Sequence, residues 1–225
     1  MSVQHPLTGK DDTPSNPSSH PAKAHPRERG MRSAIVLVGG EARRAGGKEK
    51  YFFSYEGRTF IEHILEALGE VVDEIVLAAK DPAQCERFSH LTGVKCVSDI
   101  RKGIGPAGGL HTGVLEVQGD LVVVVACDMP CINPRVIEHL FSLMDDYDAV
   151  IPAWNPEMLE PLHAVYRRSA LLAYLEEPGH RSLREMVKAM RVRFVDIEDL
   201  RRMDPDLATF TNVNKLEELE RMRKG

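Results

Sequence analysis

Short apolar runs alternate along the chain, from residue 33 onwards, with longer segments whose apolar residues recur at helical spacing. Residues 121–127 have no polar side chain before the final cysteine, which is typical of a central strand covered on both faces. Residues 59–68 carry apolar side chains at 60, 61, 64, 65 and 68, which predicts a helix that buries one face. Such alternation predicts an α/β fold: a three-layer, doubly wound, mostly parallel sheet of Rossmann-like type.

The same pattern places the remaining elements. The predicted strands are 33–38, 74–79, 94–97, 121–127, 149–152, 163–166 and 193–196. The predicted helices are 59–68, 109–117, 134–144, 169–175, 182–190 and 215–223, the third and the last capped by Asn133 and Asn214. Because ligands of such sheets bind at the carboxyl ends of the strands, residues 39–50, 99–109 and those after Cys127 are expected on one rim.

The first 32 residues differ from the rest of the chain. They hold five prolines, many serines and histidines, and almost no large apolar residues. This composition cannot bury enough surface to fold, so we predict a disordered extension over 1–32 and a single domain over 33–225. The extension has no apolar segment of the kind found in secretory signals.

Charge and cysteine usage narrow the class of protein. The net charge is −5 and the sequence pI is about 6.0, so the basic footprint of a nucleic-acid-binding protein is missing. No stretch approaches the ~20 apolar residues that span a bilayer. The four cysteines form no C-x-x-C pair, so free thiols in a reducing cytosol are expected rather than zinc ligands. We therefore expect a cytoplasmic protein that binds neither nucleic acid nor membranes.

A glycine-rich, basic loop follows the first predicted strand. It runs from Leu37 to Lys50, with glycines at 39, 40, 46 and 47 and with Arg43 and Arg44 between them. Glycines let backbone N–H groups approach a polyanion, and the cations beside them can neutralise a triphosphate. The loop therefore predicts a nucleotide phosphate site, and a tight surface turn with solvated charges is the alternative.

The spacing in this loop fits neither of two common phosphate motifs. A Walker A loop needs glycine at position 42 and serine or threonine after Lys48, where the chain has Ala42 and Glu49. A dinucleotide fingerprint starting at Gly39 fails as well. The loop instead resembles the nucleotidyltransferase signature that begins L-x-G-G-x-x-x-R-x-G and ends in a lysine, filled by Leu37, Gly39, Gly40, Arg44, Gly46 and Lys50.

A carboxylate stands at the end of the most buried strand. Asp128 there is well placed to hold Mg²⁺ against a triphosphate, although a turn or a helix N-cap would also explain it. Asp99, ahead of a Gly-Pro loop that includes Gly108, could accept a hydrogen bond from a nucleoside hydroxyl, with that loop against the base or ribose. Gly103, Gly105 and Gly108 also match a dinucleotide fingerprint, but the preceding strand ends too early for its tight turn.

Three further motifs suggest supporting roles. His163 on a predicted strand is expected to be a packed histidine that shapes a second-substrate pocket. Arg181 precedes a predicted helix, where a phosphate or solvent could face it. Asn212 and Asn214 could contribute an oxygen to Mg²⁺ or cap the last helix, and we expect capping by Asn214 as its main role.

Taken together, these motifs resemble one family over residues 33–225. The glycine-rich loop with Lys50 is followed in order by Gly105-Pro106-Ala107-Gly108-Gly109-Leu110, Cys127-Asp128-Met129-Pro130, Pro161-Leu162-His163-Ala164-Val165-Tyr166 and Asn212-Val213-Asn214. This series resembles molybdenum cofactor guanylyltransferases, which have a Rossmann-like nucleotidyltransferase fold. The resemblance implies Mg²⁺-dependent transfer of GMP from GTP to the terminal phosphate of molybdopterin-bound molybdenum, with release of pyrophosphate, and proteins of molybdoenzyme maturation as further partners.

The resemblance also implies residue roles. Leu37, Val38 and Gly39 would contact the nucleotide, Lys50 would bind its phosphates, Asp99 would contact the guanosine part, and Asp128 would hold Mg²⁺. From the loop and the C-terminal motif we add Gly40 to the nucleotide site, Arg44 to the triphosphate and Asn214 to the Mg²⁺ site. The chain departs from the family pattern at Ala45, where methionine is usual, and at Glu49, where aspartate is usual.

A further departure concerns the base. A polar residue that contacts the base in relatives is replaced here by Ala78 or Ala79. A related transferase that uses CTP or another phosphorylated acceptor is therefore an alternative. A non-catalytic protein that binds the nucleotide and escorts the cofactor is the alternative from a different class. Retention of Lys50 and Asp128 argues against it.

Overall fold

The computed structural model describes residues 30–39, 50–100, 105–177 and 182–213. Several predictions lie outside these residues: the extension up to residue 29, the loop with Gly40 and Arg44, the side chain of Lys50, Arg181, and the terminal helix with Asn214. Arg32, which the sequence places in the extension, already belongs to the first strand.

The centre of the molecule is an eight-stranded sheet. Its strands are β1 (Arg32–Leu37), β4 (Glu74–Ala79), β5 (Lys95–Ser98), β6 (Leu121–Ala126), β7 (Ala149–Asn155), β8 (Met158–Leu159), β9 (His163–Arg167) and β10 (Val192–Asp196). Seven of them follow one another in the order β10-β7-β9-β6-β1-β4-β5, and the short β8 pairs with β7. All neighbouring strands of the seven run parallel except β9, which is antiparallel to β6 and to β7. The prediction of a mostly parallel sheet is thus confirmed.

Helices cover both faces of this sheet and give the three predicted layers. The helices are α1 (Phe60–Gly69), α2 (Pro82–Glu86), α3 (Pro106–Glu116), α4 (Pro134–Ser142), α5 (Arg168–Glu176), α6 (Leu183–Ala189) and α7 (Ile197–Leu200). One apolar cluster joins the sheet to α1, α4 and α7, and a second joins its other face to α3, α5 and α6. Within the described ranges, no helix is long and apolar enough to cross a bilayer.

The long elements match the pattern because each carries a clear apolar run or stripe. β4 has the predicted bounds, and α4 begins after Asn133, whose side chain accepts a hydrogen bond from the backbone N–H of Arg135 at 3.0 Å. The pattern missed the shortest elements, α2, α7, β8 and a small hairpin of β2 (Ser54–Tyr55) with β3 (Arg58–Thr59). These elements span fewer residues than a helical or alternating period needs to become visible.

The expectation of four free thiols is wrong for two cysteines. Cys85 in α2 and Cys96 in β5 form a disulfide with their Cα atoms 5.6 Å apart. The short α2 packs against β5 and brings the two residues together, a contact that the sequence pattern does not reveal. Cys127 is not part of a disulfide, and Cys131 is a free thiol whose pKa is raised by burial and by nearby Asp204 and Glu56.

Candidate functional site

A cavity of about 370 Å³ lies at the carboxyl ends of four parallel strands. Strands β1, β4, β5 and β6 all end at this edge, as the sequence predicts. The cavity walls are largely apolar, with carboxylates on two sides. The described residues that line it are Leu37, Gly39, Ala78, Ala79, Lys80, Asp99, Gly105, Pro106, Gly109, Ala126, Cys127, Asp128 and Leu162.

Backbone hydrogen bonds fix the floor of this cavity. The N–H of Val38 donates to the carbonyl of Ala78 at 3.0 Å, and that of Cys127 donates to the carbonyl of Leu37 at 3.2 Å. Val38 itself is 1% exposed and points into the core, whereas Leu37 and Gly39 line the cavity. A Cβ atom at position 39 would lie 3.2 Å from the backbone nitrogen of Lys80, so glycine is what lets the two strand ends approach each other.

The next wall comes from Asp99 and the start of α3. The N–H of Asp99 donates to the carbonyl of Ala79 at 2.7 Å, which holds this residue at the end of β4. Gly105 has φ +66° and precedes Pro106 in the first turn of α3. Gly108, a predicted nucleotide contact, is buried within the first turn, while its neighbour Gly109 lines the cavity.

The glycines around α3 do not build a dinucleotide turn. β5 ends at Ser98 and α3 begins at Pro106, so a loop separates strand and helix where that fingerprint needs a tight turn. The position of Gly103 lies outside the described residues. The structure therefore favours the interpretation that the Gly-Pro segment forms a wall of the cavity.

Asp128 stands where β6 leaves the sheet and is held by a distant segment. The side-chain amide of Asn212 donates to Asp128 Oδ2 at 2.8 Å, and the N–H of Val213 donates to the Asp128 carbonyl at 2.8 Å. Asn212 thus positions the carboxylate, a role the sequence analysis did not assign to it. The described part of the chain contains no group of three or more His, Cys, Asp or Glu side chains that could hold a metal.

A buried histidine contacts the segment that leads to Asn212. His163 is fully buried, and its Nε2 lies 3.1 Å from the hydroxyl oxygen of Thr209. Burial lowers the pKa of His163 to about 4, so the imidazole is neutral at pH 7. The Thr209 hydroxyl also accepts a hydrogen bond from the N–H of Asn133 at 3.1 Å. His163 is therefore a packed residue that anchors the chain just before Asn212, and Thr209 is a supporting residue that the sequence pattern did not indicate.

A tryptophan and a glutamate form a second polar contact near Asp128. The indole N–H of Trp154 donates to Glu160 Oε1 at 2.8 Å. Burial raises the pKa of Glu160 and the negative charge of Asp128 raises it further, while the bond from Trp154 lowers it. Trp154 is not part of any motif, and only its being the single tryptophan of the chain could have drawn attention to it.

The structure thus brings together four of the predicted site residues. Leu37, Gly39, Asp99 and Asp128 line one cavity. Val38 and Gly108 lie behind its wall. Gly40, Arg44, the side chain of Lys50 and Asn214 lie outside the described residues.

Comparison with known proteins agrees with this arrangement. The model of the MobA-like NTP transferase domain matches residues 34–194. A probable molybdenum cofactor guanylyltransferase of Methanosarcina mazei is 37% identical over 87% of this chain and 92% of its own length. A molybdenum cofactor guanylyltransferase of Desulfosudis oleivorans is 33% identical over 84% of this chain and 93% of its own length.

A solved structure extends the likeness to three dimensions. The molybdopterin-guanine dinucleotide biosynthesis protein A of Archaeoglobus fulgidus superposes with a TM-score of 0.70 at 32% identity, over 84% of this chain and 95% of its own. These relatives define the class of the protein, a nucleotidyltransferase, whose sheet here gathers a cavity and the Asp128 carboxylate at one rim. The chain belongs to the MobA-like NTP transferase family.

Proposed function

We propose that this protein transfers GMP from GTP to the terminal phosphate of molybdopterin-bound molybdenum and releases pyrophosphate. The proposal rests on one observation above the others: Asp128 shares a single cavity with Leu37, Gly39 and Asp99, and Asn212 holds its carboxylate from the far end of the chain. The names of the relatives identify GTP and molybdopterin as the substrates to be tested first. A cytoplasmic location and delivery of the product to maturation proteins belong to the same proposal.

The reaction needs positioning and charge neutralisation more than proton transfer. An oxygen of the acceptor phosphate forms a bond to the α-phosphorus of GTP, and the bond from that phosphorus to pyrophosphate breaks. The attacking oxygen is already anionic, so no general base is required. The protein has to bring two polyanions together and stabilise the charge that develops on the phosphates.

The donor set at the cavity fits Mg²⁺. This ion commonly takes one or two protein carboxylates together with substrate phosphates and waters, and Asp128 supplies one carboxylate on the cavity wall. When bound there, Mg²⁺ would neutralise charge on the α-phosphate and on the departing pyrophosphate. We assign Lys50 and Arg44 to the triphosphate, Asp99 to the nucleoside, and the backbone of Gly39 and Gly40 to the turn under the phosphates. Asn214 is the other candidate oxygen ligand from the sequence.

Pyrophosphate release is the direct test. The full chain is mixed with Mg²⁺, molybdopterin-bound molybdenum and, in turn, GTP, CTP, ATP or UTP. Release with GTP alone supports the proposal. If none of the four nucleotides yields pyrophosphate although GTP still binds, the proposal is contradicted and the non-catalytic binding protein is favoured.

One observation favours a second candidate, a transferase that uses CTP. Ala78 and Ala79 line the cavity beside Lys80 without offering a polar side chain to the base. Their carbonyls are already engaged by the N–H groups of Val38 and Asp99. In the same assay, a preference for CTP over GTP would support this second candidate. The fold and the proposed role of Asp128 would stay the same.

A further inference from the structure

The edge of the sheet carries a second cavity on the other side of Asp128. Strands β6 and β7 run in the same direction because both are antiparallel to β9, so the end of β7 lies at the same edge as Asp128. The first cavity lies toward β1, β4 and β5. The second, also about 370 Å³, lies toward β7 and β10 and is lined by Ala153, Trp154, Asn155, Pro156, Leu159, Phe194 and Asp196. Asp128 thus stands between two cavities, as expected of an enzyme that joins two substrates.

The walls of the second cavity suit a flat ring. Trp154 is 41% exposed and Phe194 is 55% exposed, an unusual degree of exposure for two large aromatic side chains. Trp154 also packs edge-to-face on Phe210, with ring centroids 6.2 Å apart. The contact with Phe210 and the hydrogen bond of the indole N–H therefore fix the orientation of the Trp154 ring. Trp154 thus offers an ordered aromatic surface where it lines the cavity.

Glu160 adds a polar edge to this aromatic surface. It accepts the indole N–H through Oε1, and within the described residues no hydrogen bond to Oε2 is formed. Its N–H donates to the carbonyl of Pro152 in β7, and it lies just ahead of β9, which separates β7 from β6. Glu160 therefore lies between Trp154 at the end of β7 and Asp128 at the end of β6. A half-buried carboxylate beside an ordered aromatic ring suits a planar heterocycle that carries adjacent N–H donors.

We propose that Trp154 and Glu160 hold the pterin ring of the acceptor. The ring stacks on the indole, and its 2-amino group and neighbouring ring N–H donate to the carboxylate of Glu160, while the phosphate of the acceptor extends toward Asp128. This inference rests on the proposed function, because the acceptor there contains a pterin. Guanine has a similar N–H edge, but the cavity with Leu37, Gly39 and Asp99 on the opposite side of Asp128 is the one assigned to the nucleotide.

Tryptophan fluorescence tests the site directly, since the chain has a single tryptophan. The full-length protein is titrated with 6-hydroxymethylpterin and with 6-hydroxymethyl-lumazine, which has an oxygen in place of the 2-amino group. Free N-acetyl-tryptophanamide corrects for absorption by the ligands. We expect quenching by the pterin and binding of the lumazine weaker by about tenfold or more, because a hydrogen bond to a charged group is lost. Equal affinity for the two ligands, or no quenching by either, would overturn the proposal.

Variants separate the two residues. Binding to each variant is followed by the anisotropy of the pterin's own fluorescence, with thermal melting and GTP affinity as checks on folding. E160Q keeps an oxygen for the indole but presents an amide to the ligand, and we expect about tenfold weaker pterin binding or worse. W154F should weaken it less, because a ring remains. M158A, on the same hairpin and 55% exposed, should bind like wild type. Unchanged pterin affinity in a folded E160Q would refute the role of Glu160.

The outcomes distinguish this inference from the proposed function. If GTP and molybdopterin-bound molybdenum yield pyrophosphate but E160Q leaves the pterin affinity unchanged, the ring site is overturned and the proposed function stands. A pterin affinity that falls in E160Q supports the ring site even where no acceptor yields pyrophosphate, a result that would reject the proposed transfer alone.

Discussion

The amide of Asn212 donates to the carboxylate of Asp128 at 2.8 Å, across a sequence separation of 84 residues. The bond ties the segment before the chain's end to the end of β6, and the N–H of Val213 reinforces it. Asp128 therefore presents its carboxylate to the cavity in an orientation that another part of the chain sets.

Loss of this bond should lower turnover without unfolding the protein. We expect N212A to reduce kcat by about tenfold, because the carboxylate is no longer held in place, and to change stability little since Asn212 is exposed. N212D should be worse than N212A, because a second negative charge would repel Asp128. Steady-state kinetics and thermal melting check both expectations. Equal kcat in N212A and wild type would show that the bond is dispensable.

Removal of the Asp128 carboxylate should have a larger effect. We expect D128N to lose a factor of ~10²–10³ in kcat, as when one preorganised electrostatic group is removed from an active site. The Mg²⁺ concentration for half-maximal activity should rise as well, which is measured by titrating the metal at saturating GTP. D146N alters an exposed aspartate on a loop of the opposite edge and should keep wild-type activity. Near-normal turnover of D128N would remove Asp128 from the mechanism.

The central sheet could be predicted because each of its long strands is marked by a local run of apolar residues. β6 contains Leu121, four consecutive valines and Ala126, and such a run has few other stable arrangements than a strand covered on both faces. The carboxyl-edge rule then placed Asp99 and Asp128 on one rim. The antiparallel direction of β9 could not be predicted, because strand direction depends on the hairpin between β7 and β9 and not on the apolar pattern of β9 itself.

The contacts that orient the site were not predictable in the same way. Trp154 meets Glu160 only because β7 turns back through β8, and Asn212 meets Asp128 only because the chain returns to the rim after α7. The disulfide of Cys85 with Cys96 likewise depends on the short α2. Local pattern identifies the element that carries a side chain, whereas these partners are set by tertiary packing between elements.

Gly39 should tolerate no side chain without loss of nucleotide binding. A Cβ atom there would lie 3.2 Å from the nitrogen of Lys80, closer than most real contacts, and the neighbour is backbone that cannot rotate away. We expect G39A to raise the KM for GTP by about tenfold, since the turn that we propose to lie under the phosphates must shift. The matched control is G69A at the end of α1, where a Cβ atom meets nothing within 4 Å and alanine favours the helix. An unchanged KM in G39A would contradict the close-approach argument.

The disulfide should contribute measurable stability under oxidising conditions. It closes a loop of 11 residues, for which chain entropy gives about 3 kcal/mol. We expect C85S to lower the free energy of unfolding by about that amount relative to oxidised wild type. The two proteins should converge in the presence of dithiothreitol. Mass spectrometry after alkylation provides the independent check, because labelling of Cys85 and Cys96 in the unreduced, denatured protein would show that no disulfide forms.

The buried His163 predicts how stability depends on pH. Its pKa in the folded protein is about 4, below the ordinary value of 6.5, because burial disfavours the charged imidazole. Between these two values the unfolded chain binds the extra proton, so stability is complete above pH 6.5 and falls as the pH decreases toward 4. The full difference corresponds to at most about 3 kcal/mol.

Urea unfolding at pH 5 and pH 7.5 measures this dependence. H163Q should be less stable than wild type at pH 7.5, because it disturbs the contact with Thr209, but it should lose less stability on going to pH 5. H90Q removes an exposed histidine and should keep the wild-type difference between the two pH values. An H163Q variant with the full wild-type pH dependence would mean that another buried group binds the proton in the unfolded chain, and His163 would then have no part in acid destabilisation.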